Sequence, residues 1–305
     1  MDRTRIFLVG SLFSLLWASA FVAGKAALPY IDPISLLCAR FATAGGLMLA
    51  WALLTRMAGA RRGASTGKAL LVDGLVLGVF NNALYLGLSF LGLRTVSPEA
   101  TVLIVSTVPF FAIGLSVLTG GTCTWRQIAG VAVGFAGVFT VLSVRIHGGA
   151  ELHGVLFILL GTLSLAIGTV WYRRRGAHHD PLVLNGLQNL SGALVLLPFA
   201  ANLPQAFAAL RHPDYLLAFG HLVLLVSIAD FLIWLALLRR IGVAQASSFH
   251  LLNPIFGIAL SALVFGAPIR ITDAAGTLIV IAGLALATWP AKARAAIAAP
   301  RESLA

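Results

Sequence analysis

Asp230 stands inside an otherwise apolar run, VSIADFLIWLALL (Val226–Leu238). A carboxylate in hydrocarbon costs about 2.5–3.5 kcal/mol on insertion scales, so an intramembrane acid points to binding, proton relay or pairing. Asp230 lies before a turn expected at Ile241, and His250 lies after it. Helices joined by a tight turn run antiparallel, which places the two at similar depth, roughly 14–17 Å from the turn at 1.5 Å per residue. An Asp–His pair there has two readings: a proton relay of the kind His supports, or a static polar lock between two helices.

The segment VFNNALYLGL (Val79–Leu88) offers Asn81, Asn82 and Tyr85. Asn81–Tyr85 and Asp230–Trp234 each put an aromatic four residues beyond a polar group, on one helix face. Trp17 and Phe21 repeat that spacing, while Gln245 and Asn253 flank His250 and Gln188 sits among Asn185 and Asn189. Amides beside aromatics suit an amphipathic solute; the other reading is hydrogen-bonded amides at helix contacts. Two cations complete the set. Lys25 closes the first apolar run and can snorkel outward. Arg40 lies deeper, either attracting a carboxylate or steadying an outer gate by pairing with Asp32. Asp73 reads as a surface or capping acid, and Trp171 and Tyr172 read as interface anchors.

None of these residues forms a motif for covalent chemistry. HExxH, GxSxG, paired catalytic acids and GxxxxGK[ST] are missing from the sequence, so an enzyme or an ATP-driven pump is not expected. AHHD (Ala177–Asp180) reads as a solvated turn. Cys38 and Cys123 make neither a disulfide framework nor a zinc pattern. No cofactor and no metal are expected.

The elements that must carry these residues follow from composition. The 305 residues are 59% hydrophobic and 10% charged, with mean hydropathy +0.97, where soluble chains run near 25% charged. Ten runs are long enough to span a bilayer, about 6–27, 33–55, 69–92, 98–119, 124–144, 153–172, 181–201, 214–238, 243–265 and 272–290. They are continuous rather than alternating, which favours helices over a barrel. The first is read as an uncleaved helix despite the ASA (Ala18–Ala20) that mimics a cleavage site. The net charge of +11 sits in short loops and favours lipid headgroups over nucleic acid. With the N-terminus inside, 15 of the 21 Lys and Arg fall on the inner side and 5 on the outer, with Arg40 inside a span. That bias places both termini in the cytoplasm.

The second half echoes the first. DPISLLCAR from Asp32 matches DPLVLNGLQ from Asp180, Pro109 matches Pro254, and Gly130 and Gly137 match Gly276 and Gly283. In that register Gln188 takes the place of Arg40, and Asn82 that of Asp230. Five spans per copy is odd, so the second copy enters the membrane from the opposite side, an arrangement typical of carriers whose sites lie near the midplane between copies. The expectation is an all-α membrane protein with ten transmembrane helices as two inverted five-helix repeats, residues 1–146 and 147–290, and a cytoplasmic tail, 291–305.

WASAFVAGK (Trp17–Lys25), the Asp32–Pro33–Arg40 pattern, the two mid-span prolines and the doubled glycine pairs resemble the drug/metabolite transporter superfamily, and within it the EamA-type branch of bacterial metabolite and amino-acid exporters. The resemblance implies a ten-helix carrier of the cell inner membrane with both ends cytoplasmic. One departure stands out: many relatives carry a Gly-Glu pair after the fourth and ninth spans, whereas GGTCTW (Gly120–Trp125) and FGAPIR (Phe265–Arg270) hold no acid. The expected function is export of small amphipathic metabolites, amino acids foremost and aromatic or hydrophobic ones among them, by alternating access. A proton-coupled extruder of drugs or lipophilic cations is the alternative. The expected partners are a small-molecule substrate and the bilayer, no nucleic acid, and at most a second copy, as a monomer or weak homodimer.

Overall fold

A computed structural model describes residues 3–57, 67–120, 122–145 and 148–288, and every regular element among them is helical. In order these are α1 (Arg3–Ala27), α2 (Pro33–Met57), α3 (Lys68–Leu77), α4 (Gly87–Gly92), α5 (Pro98–Val105), α6 (Val108–Leu118), α7 (Trp125–Arg145), α8 (Gly149–Arg174), α9 (Pro181–Leu196), α10 (Leu203–Ala208), α11 (Pro213–Gly220), α12 (Phe231–Ser248), α13 (Asn253–Phe265) and α14 (Ile271–Thr288). Nine helical stretches among the described residues are long and apolar enough to cross a membrane; Phe249–Phe265 is a shorter apolar helix. The tail 291–305 lies outside the described residues.

Local chemistry sets the helix starts. Proline occupies the first turn of α5, α9 and α11, where its missing N–H breaks no helical bond. Asp180 Oδ1 accepts from the amides of Leu182 and Val183, and Asp32 Oδ1 accepts from the Ser35 amide at 2.9 Å. The two Asp-Pro motifs are therefore matching N-caps, which leaves Asp32 occupied at a helix start rather than on Arg40.

Two spans change pitch at corresponding places. The third (Lys68–Gly92) passes through a π-helical stretch, Gly78–Leu86, and the eighth (Pro213–Ile241) through another, His221–Asp230. Such stretches are rare and frequent at functional sites. Two further helices break just before a proline. Ser106 and Thr107 separate α5 from α6, and a 3-10 turn, Phe249–Leu252, precedes α13. Pro109 and Pro254 each remove the bond that would bridge the break.

The backbone is helical over Phe231–Ser248, yet the Trp234 and His250 rings lie 5.3 Å apart. A straight helix would separate them by about 24 Å at 1.5 Å per residue. The chain therefore folds back inside this stretch, where the turn was expected.

Small residues let helices from the two halves touch. A Cβ on Gly130 would come within 2.7 Å of the Gly283 carbonyl, and one on Gly137 within 2.7 Å of the Gly276 carbonyl. Rising numbers in α7 meet falling numbers in α14, so the two run antiparallel with backbones in contact. Helices α2 and α9 do the same. Cys38 Sγ meets the Ala193 carbonyl at 3.4 Å, Gly45 abuts the Gly186 carbonyl, and Met48 Sδ meets Asn185 Nδ2 at 3.6 Å.

Candidate functional site

Arg40 and Asp230 are buried, at 3% and 5% exposure. Arg40 Nε donates to Ser227 Oγ at 3.0 Å, one turn before Asp230 in the π-helical stretch. No hydrogen bond or ion pair joins Arg40 to Asp230 among the described residues. Arg40 Nη1 and Asp230 Oδ1 are buried without a hydrogen-bond partner. A buried charged atom without a partner is costly. The outer gate imagined between Arg40 and Asp32 is not formed: Arg40 bonds Ser227 and Asp32 caps α2. Alongside, Ser19 Oγ lies 2.7 Å from His221 Nε2.

The amides of the third span and α9 make a different arrangement. Gln188 Nε2 donates to Asn82 Oδ1 at 2.8 Å, Asn82 Nδ2 donates to Asn189 Oδ1 at 3.2 Å, and Asn189 Nδ2 donates to the Asn185 carbonyl at 2.8 Å. Asn82 and Gln188 are thus engaged in a clasp between the third span and α9. Asn81 points away, against Gly168 of α8, with its Oδ1 buried and unpartnered. Tyr85 is buried on the same π-helical stretch.

Trp17, Trp234 and His250 come together around a residue that sequence reasoning missed, Phe13. Phe13 stacks on Trp234 at 4.9 Å and meets the His250 ring edge-on at 5.0 Å; Trp17 meets His250 at 5.8 Å and Phe21 at 5.9 Å. The signal was present as the run Phe13, Trp17, Phe21, three aromatics at a spacing of four. His250 Nδ1 lies 3.0 Å from Asn253 Nδ2, and no hydrogen bond joins it to Asp230 among the described residues. The expected Asp–His pair is therefore two separate groups, Asp230 facing Arg40 and His250 facing aromatics. Gln245 lies outside the residues whose side chains are described.

A cavity of about 710 Å³ opens at the end of the molecule where α2 begins, lined by Lys25, Tyr30, Asp32, Arg94, Asn202 and Gln205 among others. Lys25 does not stand free in it. Its Nζ donates to the carbonyls of Leu93 at 2.6 Å and Arg94 at 3.1 Å, capping the end of the third span, as cations suit helix C-termini. Lys25 is a fastening between α1 and that span, which corrects the snorkelling expected of it. Tyr30 donates to Asp214 Oδ2 at 3.3 Å; burial, then the Asp214 charge, pushes its phenol up.

Two charge clusters tie helices together near the ends of the bundle, and both join residues far apart in sequence. Asp73 is buried, not at the surface. It accepts from Trp171 Nε1 at 3.0 Å and Arg175 Nε at 3.2 Å, with His179 Nε2 2.9 Å away. Trp171 and the AHHD turn are thereby drawn into an internal tie. At the vestibule end Arg145 grips Asp273 with two hydrogen bonds, 2.6 and 2.9 Å, and also bonds Glu99. No grouping of three or more His, Cys, Asp or Glu suited to a metal occurs among the described residues.

Comparison with known proteins follows the same lines. The sequence model of the EamA-like transporter family matches residues 4–143 and again 152–289. The chain is 28% identical over 304 residues to the uncharacterized transporter YvbV of Bacillus subtilis (strain 168), covering 98% of this chain and 96% of that one. It is 27% identical over 276 residues to the uncharacterized inner membrane transporter YedA of Escherichia coli (strain K12), covering 85% and 83%. Over 169 residues it is 24% identical to a probable amino-acid metabolite efflux pump of Salmonella typhimurium, covering 52% and 56%. A solved crystal structure shares the fold, with a TM-score of 0.62 at 18% identity over 94% of this chain and 98% of that chain.

Proposed function

The chain belongs to the EamA-like transporter family, and from that premise we propose that this membrane transporter exports small amphipathic metabolites, amino acids foremost, by alternating access across the inner membrane. One observation carries the substrate class. Arg40 and Asp230 are opposite charges, buried and mutually unjoined, each with a bare polar atom. A zwitterion satisfies both, its carboxylate on Arg40 and its ammonium on Asp230, as charge-assisted hydrogen bonds. A lipophilic cation satisfies Asp230 alone and is repelled by Arg40, which makes a drug extruder the weaker reading.

Aromatic faces supply the apolar half of recognition. Trp234 lies one helical turn beyond Asp230, with Phe13 and His250 against its ring and Trp17 against that of His250. Stacking on such rings favours aromatic or bulky apolar side chains. The printed name of the Salmonella relative, an amino-acid metabolite efflux pump, agrees with this class.

Alternating access is read from the doubled architecture. We take residues 1–146 and 147–290 as two five-helix repeats of opposite insertion, with Phe249–Phe265 part of the ninth of ten membrane helices. Repeats threaded alike would set corresponding helices parallel; α7 against α14 and α2 against α9 are antiparallel. The 15-to-5 cation bias supports cytoplasmic termini.

Counterflow into proteoliposomes loaded with single amino acids, beside liposomes loaded with a lipophilic cation, tests the reading. Accumulation of labelled amino acid that Asp230→Asn and Arg40→Gln both suppress is the expected result. Flux of the cation alone, insensitive to Arg40→Gln, would replace this reading with the extruder.

A further inference from the structure

Arg40 and Gln188 each lie seven positions after the proline that opens a helix, Pro33 of α2 and Pro181 of α9. Asp230 and Asn82 each lie in a π-helical stretch. One offset of 148 residues carries Arg40 onto Gln188 and Asn82 onto Asp230. The Arg40–Asp230 and Gln188–Asn82 pairs are thus the same structural position seen twice, once charged and once neutral.

The two copies stand in different states. Gln188 is hydrogen-bonded to Asn82 at 2.8 Å. Arg40 donates to Ser227 instead of Asp230, and Arg40 Nη1 and Asp230 Oδ1 have no hydrogen-bond partner among the described residues. The vestibule opens at the end where α2 begins, about 10 Å from Arg40 at 1.5 Å per residue. Gln188 lies at the same distance from the opposite end. The parted pair therefore lies toward the end of the molecule that bears the cavity, and the joined pair toward the opposite end.

We propose that these pairs are exchangeable latches: in the conformation open to the opposite face, Arg40 joins Asp230 and Gln188 releases Asn82. Two copies of one unit that hold two different conformations generate the opposite-facing form by trading them. The latches differ in strength, because an Arg–carboxylate pair is stronger than an amide pair. The inference rests on the carrier reading to this extent: a solute bearing both charges competes for the atoms that close the charged latch.

The test needs no knowledge of the solute. In a Cys38→Ala/Cys123→Ala background, the four substitutions Arg40→Cys, Asp230→Cys, Asn82→Cys and Gln188→Cys are combined and treated in membranes with a short bifunctional thiol reagent. Intact mass and peptide mapping then show which pairs are bridged in each molecule. The expected result is two populations, each bridged at one pair. Molecules bridged at both pairs, or bridging at Asn82/Gln188 with none at Arg40/Asp230 under any loading, overturn the proposal.

A second arm covers misfolding of the cysteine variants. Arg40→Asp and Asp230→Arg are each expected to lower transport at least tenfold, and the exchanged double variant is expected to recover severalfold over either. A double variant that elutes as a folded protein and recovers nothing overturns it too. Neither arm depends on amino acids being the cargo, since bridging is read without transport and recovery with any solute the wild type moves.

Discussion

Gln188 Nε2 donates to Asn82 Oδ1 across the contact between α9 and the third span, at 2.8 Å, with Asn82 buried and Gln188 half-buried. Removing one partner leaves the other buried and bare, which costs about 1–2 kcal/mol even where membrane partners compensate in part. Gln188→Ala is therefore expected to lower the thermal midpoint of the detergent-purified protein by a few degrees. An unchanged midpoint would show that water or a neighbour satisfies Asn82.

Asp230 and Arg40 make no such bond with each other. Asp230→Asn keeps the shape and removes the charge, so the protein is expected to fold and to lose roughly tenfold or more in transport, the equivalent of about 1.4 kcal/mol at the binding step. Full transport by Asp230→Asn across pH 5–8 would demote Asp230 to a structural polar group.

The aromatic cluster predicts a size effect. Aromatic pairs add about 0.5–1.5 kcal/mol beyond area, so Trp17→Ala or Trp234→Ala is expected to raise the KM of an aromatic substrate up to about tenfold and that of a small one much less. Equal losses for phenylalanine and alanine in the same vesicles would take both tryptophans out of the pocket.

Glycine at the α7–α14 crossing predicts a contrast. A Cβ on Gly137 would lie 2.7 Å from both the Gly276 carbonyl and the Val280 amide nitrogen, backbone atoms that cannot rotate aside. Gly137→Val is expected to cost about 1–3 kcal/mol or more and to sharply lower the yield of folded protein. Gly46 is exposed and meets nothing within 4 Å, so Gly46→Ala is expected to be neutral or slightly stabilising. Comparable yields of the two variants by fluorescence size exclusion would refute the contact.

Asp73→Ala strips an acceptor from Trp171, Arg175 and His179 at once. The expected outcome is faster proteolysis at the Arg173–Arg175 run in inside-out vesicles, since the turn beside it loses its anchor. Unaltered cleavage would mean the turn is held by other contacts.

What the sequence disclosed divides by range. Long apolar runs set nine candidate spans to within a few residues, because a bilayer demands about 20 apolar residues, whereas the expected run 243–265 is a shorter helix, Phe249–Phe265. Doubled glycines marked the repeat, but that the two pairs meet each other across α7 and α14 was not legible from their spacing. Partner choice was less legible. Arg40 had Asp32 near it in sequence, yet an N-cap claimed Asp32 and a serine from the eighth span reached Arg40. Asp73 read as a surface or capping acid, and Glu99 and Asp273 drew no reading, because their partners arrive from other helices. The π-helical stretches have no pattern in residue type, and Phe13 was one of 18 phenylalanines.

The glycine crossing has an evolutionary corollary. Gly130 rests on Gly283 while Gly137 rests on Gly276, so each position meets the counterpart of the other. That reciprocity is what two identical subunits show about a twofold axis. A half-length ancestor bearing this surface would have been complementary to itself, and gene fusion would have made its dimerisation independent of concentration.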